Sequence, residues 1–264
     1  MQILVCLKQV PDKDSRYKID AAGTGILEED LVFETNESDQ YALEEALRLK
    51  EKFGGEVVLL SLGNDRVLKT IKNGLAMGAD RALHLTGTEF YGSDAHVVAT
   101  AIQRAIADQA FEVVLTGVQS EDLAFGQTGT ILAALLGWSH ATIVMEIAVN
   151  PDAKTVQVKR ELESNLFEKV EIPLPAVLAI QSGINQPRYA TLKGIMQAKK
   201  KEIKTLSSRD LRMESGEVGP AGSRVDHQKL SFPEKKKKTV LIEGEPEEAA
   251  KQLMEKLRKE ARVL

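Results

Sequence analysis

SDQYALEEALRLKEKFGGEVVLLSL, residues 38–62, decides the fold. Ala42, Leu43, Ala46 and Leu47 recur at the spacing of one helical face, with charged residues opposite. Asn36 and Ser38 are the candidate N-caps, and Gly54 stops the helix. The residues that follow, 56–62, are apolar almost without interruption, which marks a strand buried on both faces of a parallel sheet. The same reading extends outward. Residues 3–10, 81–85 and 112–116 read as strands. Residues 65–77, 94–109 and a segment from Gln127-Thr128-Gly129 to Gly137 read as helices. This alternation predicts an α/β chain with a doubly wound, mostly parallel sheet.

Two segments break the pattern. Residues 17–29, YKIDAAGTGILEE, alternate around a Gly-Thr-Gly turn and read as a hairpin. Residues 155–160 and 166–172 read as an added antiparallel pair before an apolar strand at 175–180, so the sheet is expected to be mixed. From about residue 207 the chain turns rich in Gly, Pro, Ser and charge, as an extended arm would be. A short strand at 239–242 and an amphipathic helix from Gly244 onward are expected within it. The helix carries acidic residues first and basic residues last, which suits its dipole. The expected division is therefore an α/β domain at 1–206 and an arm with its helix at 207–264.

Composition removes several classes of function. The 264 residues carry a formal net charge of -4, so no global basic field favours nucleic acid. The basic runs Lys199–Lys201 and Lys235–Lys238 lack interleaved aromatics and read as solvated faces. Cys6 is the one cysteine and sits in an apolar run, where it reads as a small buried hydrophobe. His84, His96, His140 and His227 are scattered without metal-ligand spacing. No apolar run approaches the ~20 residues that span a bilayer. Residues 1–10 lack the basic flank and cleavage site of a secretory signal, so a reducing cytoplasm and no direct membrane insertion are expected.

Ordinary GxGxxG and P-loop fingerprints are missing. The nearest phosphate site is LTGVQSEDLAFGQTG, residues 115–129, which leaves a strand and enters a helix at Gln127-Thr128-Gly129. It is either an anion site built from helix-start amides and the Thr128 hydroxyl, or an ordinary N-terminus with a capping threonine. Asn36-Glu37-Ser38-Asp39 either cap the first helix or bond an adenine edge or ribose. Ser61-Leu62-Gly63 ends a strand and offers backbone to the same crevice. Arg160-Glu161-Leu162-Glu163 sits on the expected hairpin, where charges usually protect a sheet edge. In PRYATLKGIM, residues 187–196, Leu192 is an anchor for a partner if exposed and core if buried. No nucleophile–base–orienter set stands out, so the residues by themselves point to no reaction.

In order along the chain, these segments resemble the beta subunit of electron-transfer flavoproteins. The resemblance rests on ILVCLKQV at 3–10, Asn36-x-x-Asp39 with ALEEALRLKE, and LAMGADRALHL at 75–85. It continues through Gly117-x-Gln119 to Gln127-Thr128-Gly129, VKRELE at 158–163, LPAV at 174–177 and Asn185-x-Pro-Arg-Tyr-Ala-Thr-Leu192. It covers nearly the whole chain, and the ordered set of blocks is specific. It implies a crevice for AMP formed by Cys6, Asn36, Glu37, Ser38, Asp39, Leu62 and the loop Gly117, Val118, Gln119, Ser120, Glu121, Asp122, Gly126, Gln127 and Thr128. It further implies a partner-recognition loop at about 185–201, a larger alpha subunit that holds FAD and on which the arm and helix at 207–264 pack, and a chain that is an electron-carrier subunit and not an enzyme by itself. That flavin takes electrons from acyl-CoA or amine dehydrogenases and passes them to a membrane quinone oxidoreductase. Glu161 matches the carboxylate that faces the flavin domain, and Leu192 matches the anchor for the dehydrogenase, with Arg188, Tyr189, Ile195 and Met196 beside it. Val118, Gly126 and Ser164-Asn165 stand where other members carry basic, asparagine, and acidic or glycine residues. In electron-bifurcating members the same crevice holds a second FAD, an alternative for this chain, although Gln127-Thr128-Gly129 resembles the AMP-binding version. A stand-alone adenine-nucleotide sensor resembling universal stress proteins is the other alternative.

Overall fold

The computed structural model describes residues 1–233 and 239–263. The basic run Lys235–Lys238 lies outside the described residues. The chain separates into one unit at Met1–Gln228 and a second at Lys229–Leu264.

In the first unit, a nine-stranded sheet is built from β1 (Gln2–Cys6), β4 (Glu56–Leu62), β5 (Arg81–Leu85), β6 (Val113–Gly117), β7 (Ser139–Asn150), β8 (Thr155–Glu161), β9 (Phe167–Pro173), β10 (Ala176–Ile180) and β11 (Ile203–Leu206). Its order is β11-β5-β4-β1-β6-β10-β7-β8-β9. Every pair from β11 to β7 is parallel, and β8 and β9 add antiparallel ladders at one edge. The helices are α1 (Glu37–Phe53), α2 (Leu68–Met77), α3 (Ala95–Ile106), α4 (Thr128–Leu136) and α5 (Leu192–Ala198).

Alternating residues of the strands feed two cores. Ile3, Val5, Leu59 and Leu115 pack with Leu43, Leu47 and Ile71 of α1 and α2 on one face. Leu4, Val58, Leu60 and Val114 pack with Ile102 and Leu132 of α3 and α4 on the other. This is the two-faced burial that the uninterrupted apolar runs anticipate. The antiparallel pair expected at 155–172 is present as β8 and β9.

Several boundaries differ from the sequence reading, each for a physical reason. The strand expected over 3–10 stops at Cys6, because the Lys8 amide donates to Asp39 instead of to a neighbouring strand. The chain then forms β2 (Gln9–Pro11), which pairs with β3 (Phe33–Thr35) in a separate two-stranded sheet. The hairpin at 17–29 narrows to a single bridge between Ile19 and Ile26, and its turn is held by the Asp20 carboxylate accepting the Thr24 amide at 3.0 Å. Strands β7 and β11 were not anticipated. Residues 207–228 do not form a free arm: Leu211, Met213 and Val218 are buried in the second core. In the second unit, residues 239–242 form no strand, while a helix spans Pro246–Lys256. No helix among the described residues is long and apolar enough to cross a membrane.

Leu59 lies at the centre of the first core with 0% exposure. Leu59→Ala is expected to lower unfolding free energy by about 2–5 kcal/mol, the range for truncating a large buried aliphatic side chain. Urea denaturation of the isolated chain measures it through the midpoint, with an unchanged slope.

Candidate functional site

The sheet reverses its winding at β1. From β1 the chain moves outward through β4 to β5, then returns to place β6 on the other side of β1. Ligand crevices in open α/β sheets form at such a switch point, beyond the carboxyl ends of the strands. Here those ends are Cys6 to Lys8 and Gly117 to Val118.

One carboxylate bridges them. Asp39, in the first turn of α1, accepts the Lys8 amide on Oδ2 at 2.7 Å and the Gly117 amide on Oδ1 at 2.9 Å. Its neighbours hold the loop that follows β6. The Asn36 Nδ2 donates to the Gln119 carbonyl at 3.0 Å, and Asn36 Oδ1 accepts the Glu121 amide at 3.0 Å. The Ser38 hydroxyl donates to the same Gln119 carbonyl at 2.9 Å. Lys8 Nζ closes the far side, donating to Ser120 Oγ at 3.2 Å and to Asp122 Oδ1 at 2.6 Å. Asn36 therefore occupies the N-cap position of α1 without a side-chain cap bond; its amide is spent on the loop. Gly117 is required by this closeness, since a Cβ there would stand 2.2 Å from Ser38 Oγ and 2.3 Å from Asp39 Oδ1.

The opposite face of the sheet supplies the other wall. Cys6 and Leu62 pack at its edge, partly buried. Burial pushes the Cys6 thiol pKa up and the Asp39 carboxylate raises it further, so Cys6 is a neutral thiol. Thr116 is buried, its Oγ1 has no hydrogen-bond partner among the described residues, and it lies 2.7 Å from where a Cβ on Gly129 would sit. That hydroxyl thus lies beneath the first turn of α4. No side chain among the described residues caps this helix. Thr128 is its first residue and not its cap, which corrects the capping-threonine reading, while the Thr130 hydroxyl donates to the Gln127 carbonyl at 2.8 Å. Gly126 has φ +62°, a conformation that glycine and asparagine tolerate best.

The structure thus gathers Cys6, Asn36, Ser38, Asp39, Leu62, Gly117 to Asp122 and Gly126 to Thr128 around one switch point. Glu37 is exposed and turns away from these bonds, and Val118 continues the sheet by donating its amide to the Ile180 carbonyl at 2.9 Å. Lys8 and Thr116 escaped the sequence reading. The signal for Lys8 was a single cation at the end of an apolar strand; for Thr116 it was a hydroxyl inside one.

A second cluster lies on the segment after β10. Tyr189, Leu192 and Met196 are 93%, 84% and 71% exposed, and Ile195 is half exposed. Leu192, Ile195 and Met196 follow the three- and four-residue spacing of one helical face. The Thr191 hydroxyl oxygen caps α5 by accepting the Gly194 amide at 3.0 Å. Arg188 points inward instead, to Glu44 and Glu51 of α1. Glu161 ends β8 and accepts Gln181 Nε2 at 3.2 Å, beside the exposed Leu162, Leu166 and Phe167.

Asp39 titrates abnormally. Burial pushes its pKa up from 3.8 to about 6, against the opposing pull of the Lys8 and Gly117 amides and Asn36. A folded-state value above the unfolded one means that this group favours folding most at low pH. Its contribution is present below pH 3.8 and is lost as pH rises through about 6. Carbon-detected NMR of the Asp39 carboxyl should give an apparent pKa near 6, which Asp39→Asn removes.

With this geometry in place, comparison with known proteins is informative. Residues 24–211 match the family model of the electron transfer flavoprotein domain. The chain is 39% identical to the electron transfer flavoprotein subunit beta of Methylophilus methylotrophus over 95% of its own length and 96% of the relative's. It is 34% identical to the mitochondrial subunit beta of Arabidopsis thaliana and 32% to the subunit beta of Bacillus subtilis, each over 100% of both chains. A doubly wound domain with a latched loop at its switch point, matched end to end by these relatives, belongs to the electron transfer flavoprotein beta-subunit family.

Proposed function

We propose that this chain holds AMP at the β1–β6 switch point and serves, beside an FAD-bearing alpha subunit, as the docking half of an electron carrier. The observation that carries the nucleotide assignment is the α4 start at the switch point, which no side chain among the described residues caps. Free amides at a helix start and a positive dipole end favour an anionic oxygen. The Gln127, Thr128 and Gly129 backbone and the Thr128 hydroxyl would hold the phosphate. Cys6 and Leu62 offer an apolar surface for the adenine. AMP has no redox chemistry, so its contribution here is to order the loop.

The Asn36, Ser38 and Asp39 side chains are already engaged with Lys8, Gly117, Gln119 and Glu121. In this reading they shape the crevice by fixing its loop, and the nucleotide meets mainly backbone and the Thr128 side of it. The exposed Tyr189, Leu192 and Met196 supply the surface for a donor dehydrogenase of the acyl-CoA or amine type. A leucine presented this fully on a capped helix suits a hydrophobic socket on a partner. A stand-alone nucleotide sensor would leave that surface without a purpose. Glu161 and the apolar residues beside it, at the tip of β8 and β9, suit the flavin-bearing partner. Electrons then leave through the partner's flavin to a quinone oxidoreductase.

Denaturing the purified heterodimer and identifying the released nucleotides tests this directly. One AMP and one FAD per heterodimer is the expected result; two FAD would move the chain to the bifurcating class, and FAD alone would leave the crevice unassigned. Thr128→Val should weaken nucleotide retention by about 1–3 kcal/mol, the worth of one hydrogen bond to a charged acceptor, read as faster AMP loss on dialysis. Leu192→Ala should leave folding and nucleotide content intact and slow flavin reduction by the donor, measured by stopped-flow absorbance.

A further inference from the structure

Arg188 sits four residues before Leu192, yet its side chain is turned away from the exposed cluster. Its Nε donates to Glu44 Oε2 at 2.8 Å and its Nη2 to Glu44 Oε1 at 3.1 Å. Its backbone amide also donates to Glu44 Oε2, at 3.1 Å. The remaining fork reaches Glu51, with Nη2 at 3.3 Å from Oε2 and Nη1 on Oε1. The Glu44 side chain is only 4% exposed, and its second cation is Arg48, whose Nε donates to Oε1 at 2.8 Å. Although burial alone would raise the Glu44 pKa, the two arginines hold it below the ordinary glutamate value.

The same face of α1 holds the start of this loop. Asn185 Nδ2 donates to the Tyr41 carbonyl and to Glu45 Oε2, both at 3.0 Å. Tyr41, Glu44, Glu45, Arg48 and Glu51 fall at the three- and four-residue spacing that places them along one helical stripe. Beyond Leu192 the chain is pinned to α2. A Cβ on Gly194 would stand 2.1 Å from the Ala76 carbonyl oxygen, and Lys201 Nζ donates to the Leu75 carbonyl at 2.9 Å. The exposed apolar residues therefore stand on a segment tied down at both ends.

We propose that Arg188 is a positioning residue: it clamps the loop to α1 through Glu44 and Glu51, and so fixes where Leu192 and Met196 stand, without touching the donor itself. The inference rests on the reading of this segment as the donor-docking surface. Its physical basis is that the loop cannot lift without leaving a buried carboxylate short of a partner, which is strongly unfavourable. Arginine suits the task because its planar fork engages two carboxylates at once, which lysine cannot reproduce. A clamp of this kind removes the ordering cost that a loose loop would meet on docking.

The test uses the full heterodimer in two measurements. Hydrogen–deuterium exchange reads the mobility of residues 185–192, and steady-state kinetics with an acyl-CoA dehydrogenase reads its KM for the flavoprotein. Arg188→Met should speed exchange in the loop but not in the sheet, and should raise KM several-fold at unchanged kcat. Arg188→Lys should fall between. Glu51→Gln, a change at an exposed helix position, should loosen the loop and raise KM in the same direction. Unchanged exchange in Arg188→Met would overturn the clamp, and a raised KM with unchanged exchange would make Arg188 a direct contact instead. A looser loop with unchanged KM would overturn the inference alone if Leu192→Ala still raised KM. If Leu192→Ala had no effect either, the docking reading would fail along with it.

Discussion

A single buried carboxylate joins the two strands on which the crevice depends. Strands β1 and β6 lie side by side in parallel, with their register running from Ile3 opposite Val113 to Val5 opposite Leu115. Beyond it, the Lys8 and Gly117 amides need acceptors, and Asp39 supplies both. An asparagine would present an amide nitrogen to one of the two donors. The charge has a cost, visible in a pKa pushed up to about 6. It is offset by the bonds of Lys8, Gly117 and Asn36, and helix α1, strand β1 and the loop after β6 are tied together through it and its neighbours.

That makes α1 more than a layer of the core. Its apolar face, Ala42, Leu43, Ala46 and Leu47, fills the first core. Its first turn sets the loop after Gly117. Its polar stripe from Tyr41 to Glu51 sets the loop before Leu192. The loop after Gly117 and the loop before Leu192 are thus both referenced to the same helix. Their shared origin explains why charged residues are so dense along it without being free: Glu44 is buried, and it is neutralised from a segment 144 residues away in sequence.

This distance also separates what the sequence reveals from what it conceals. Alternating apolar strands and amphipathic helices depend on neighbours within a few residues, so β4, β5, β6 and α1 were legible. Strand β7 was not, because its ladder partners lie at 155–180. The segment at 207–228 read as an extended arm by composition, yet three apolar residues, Leu211, Met213 and Val218, anchor it. At the site, residue types alone did not reveal which side chains bond to one another. Asn36 and Ser38 are good caps in any helix, and only the approach of Gln119 and Glu121 turns them into a latch. Arg188 beside an exposed leucine resembles a partner contact until Glu44 is seen beneath it.

Both loops that α1 holds are tied down by long-range polar contacts. The loop at 121–127 is exposed yet held at its base by four side chains, Lys8, Asn36, Ser38 and Asp39. Helix α5 exposes Leu192, Ile195 and Met196, while Gly194 lies against the Ala76 carbonyl, Lys201 bonds to α2, and Arg188 before it bonds to α1. In each case an exposed element is fixed from beneath by polar contacts. A larger apolar core could not do this without burying Leu192 and Met196, the side chains that now stand outside.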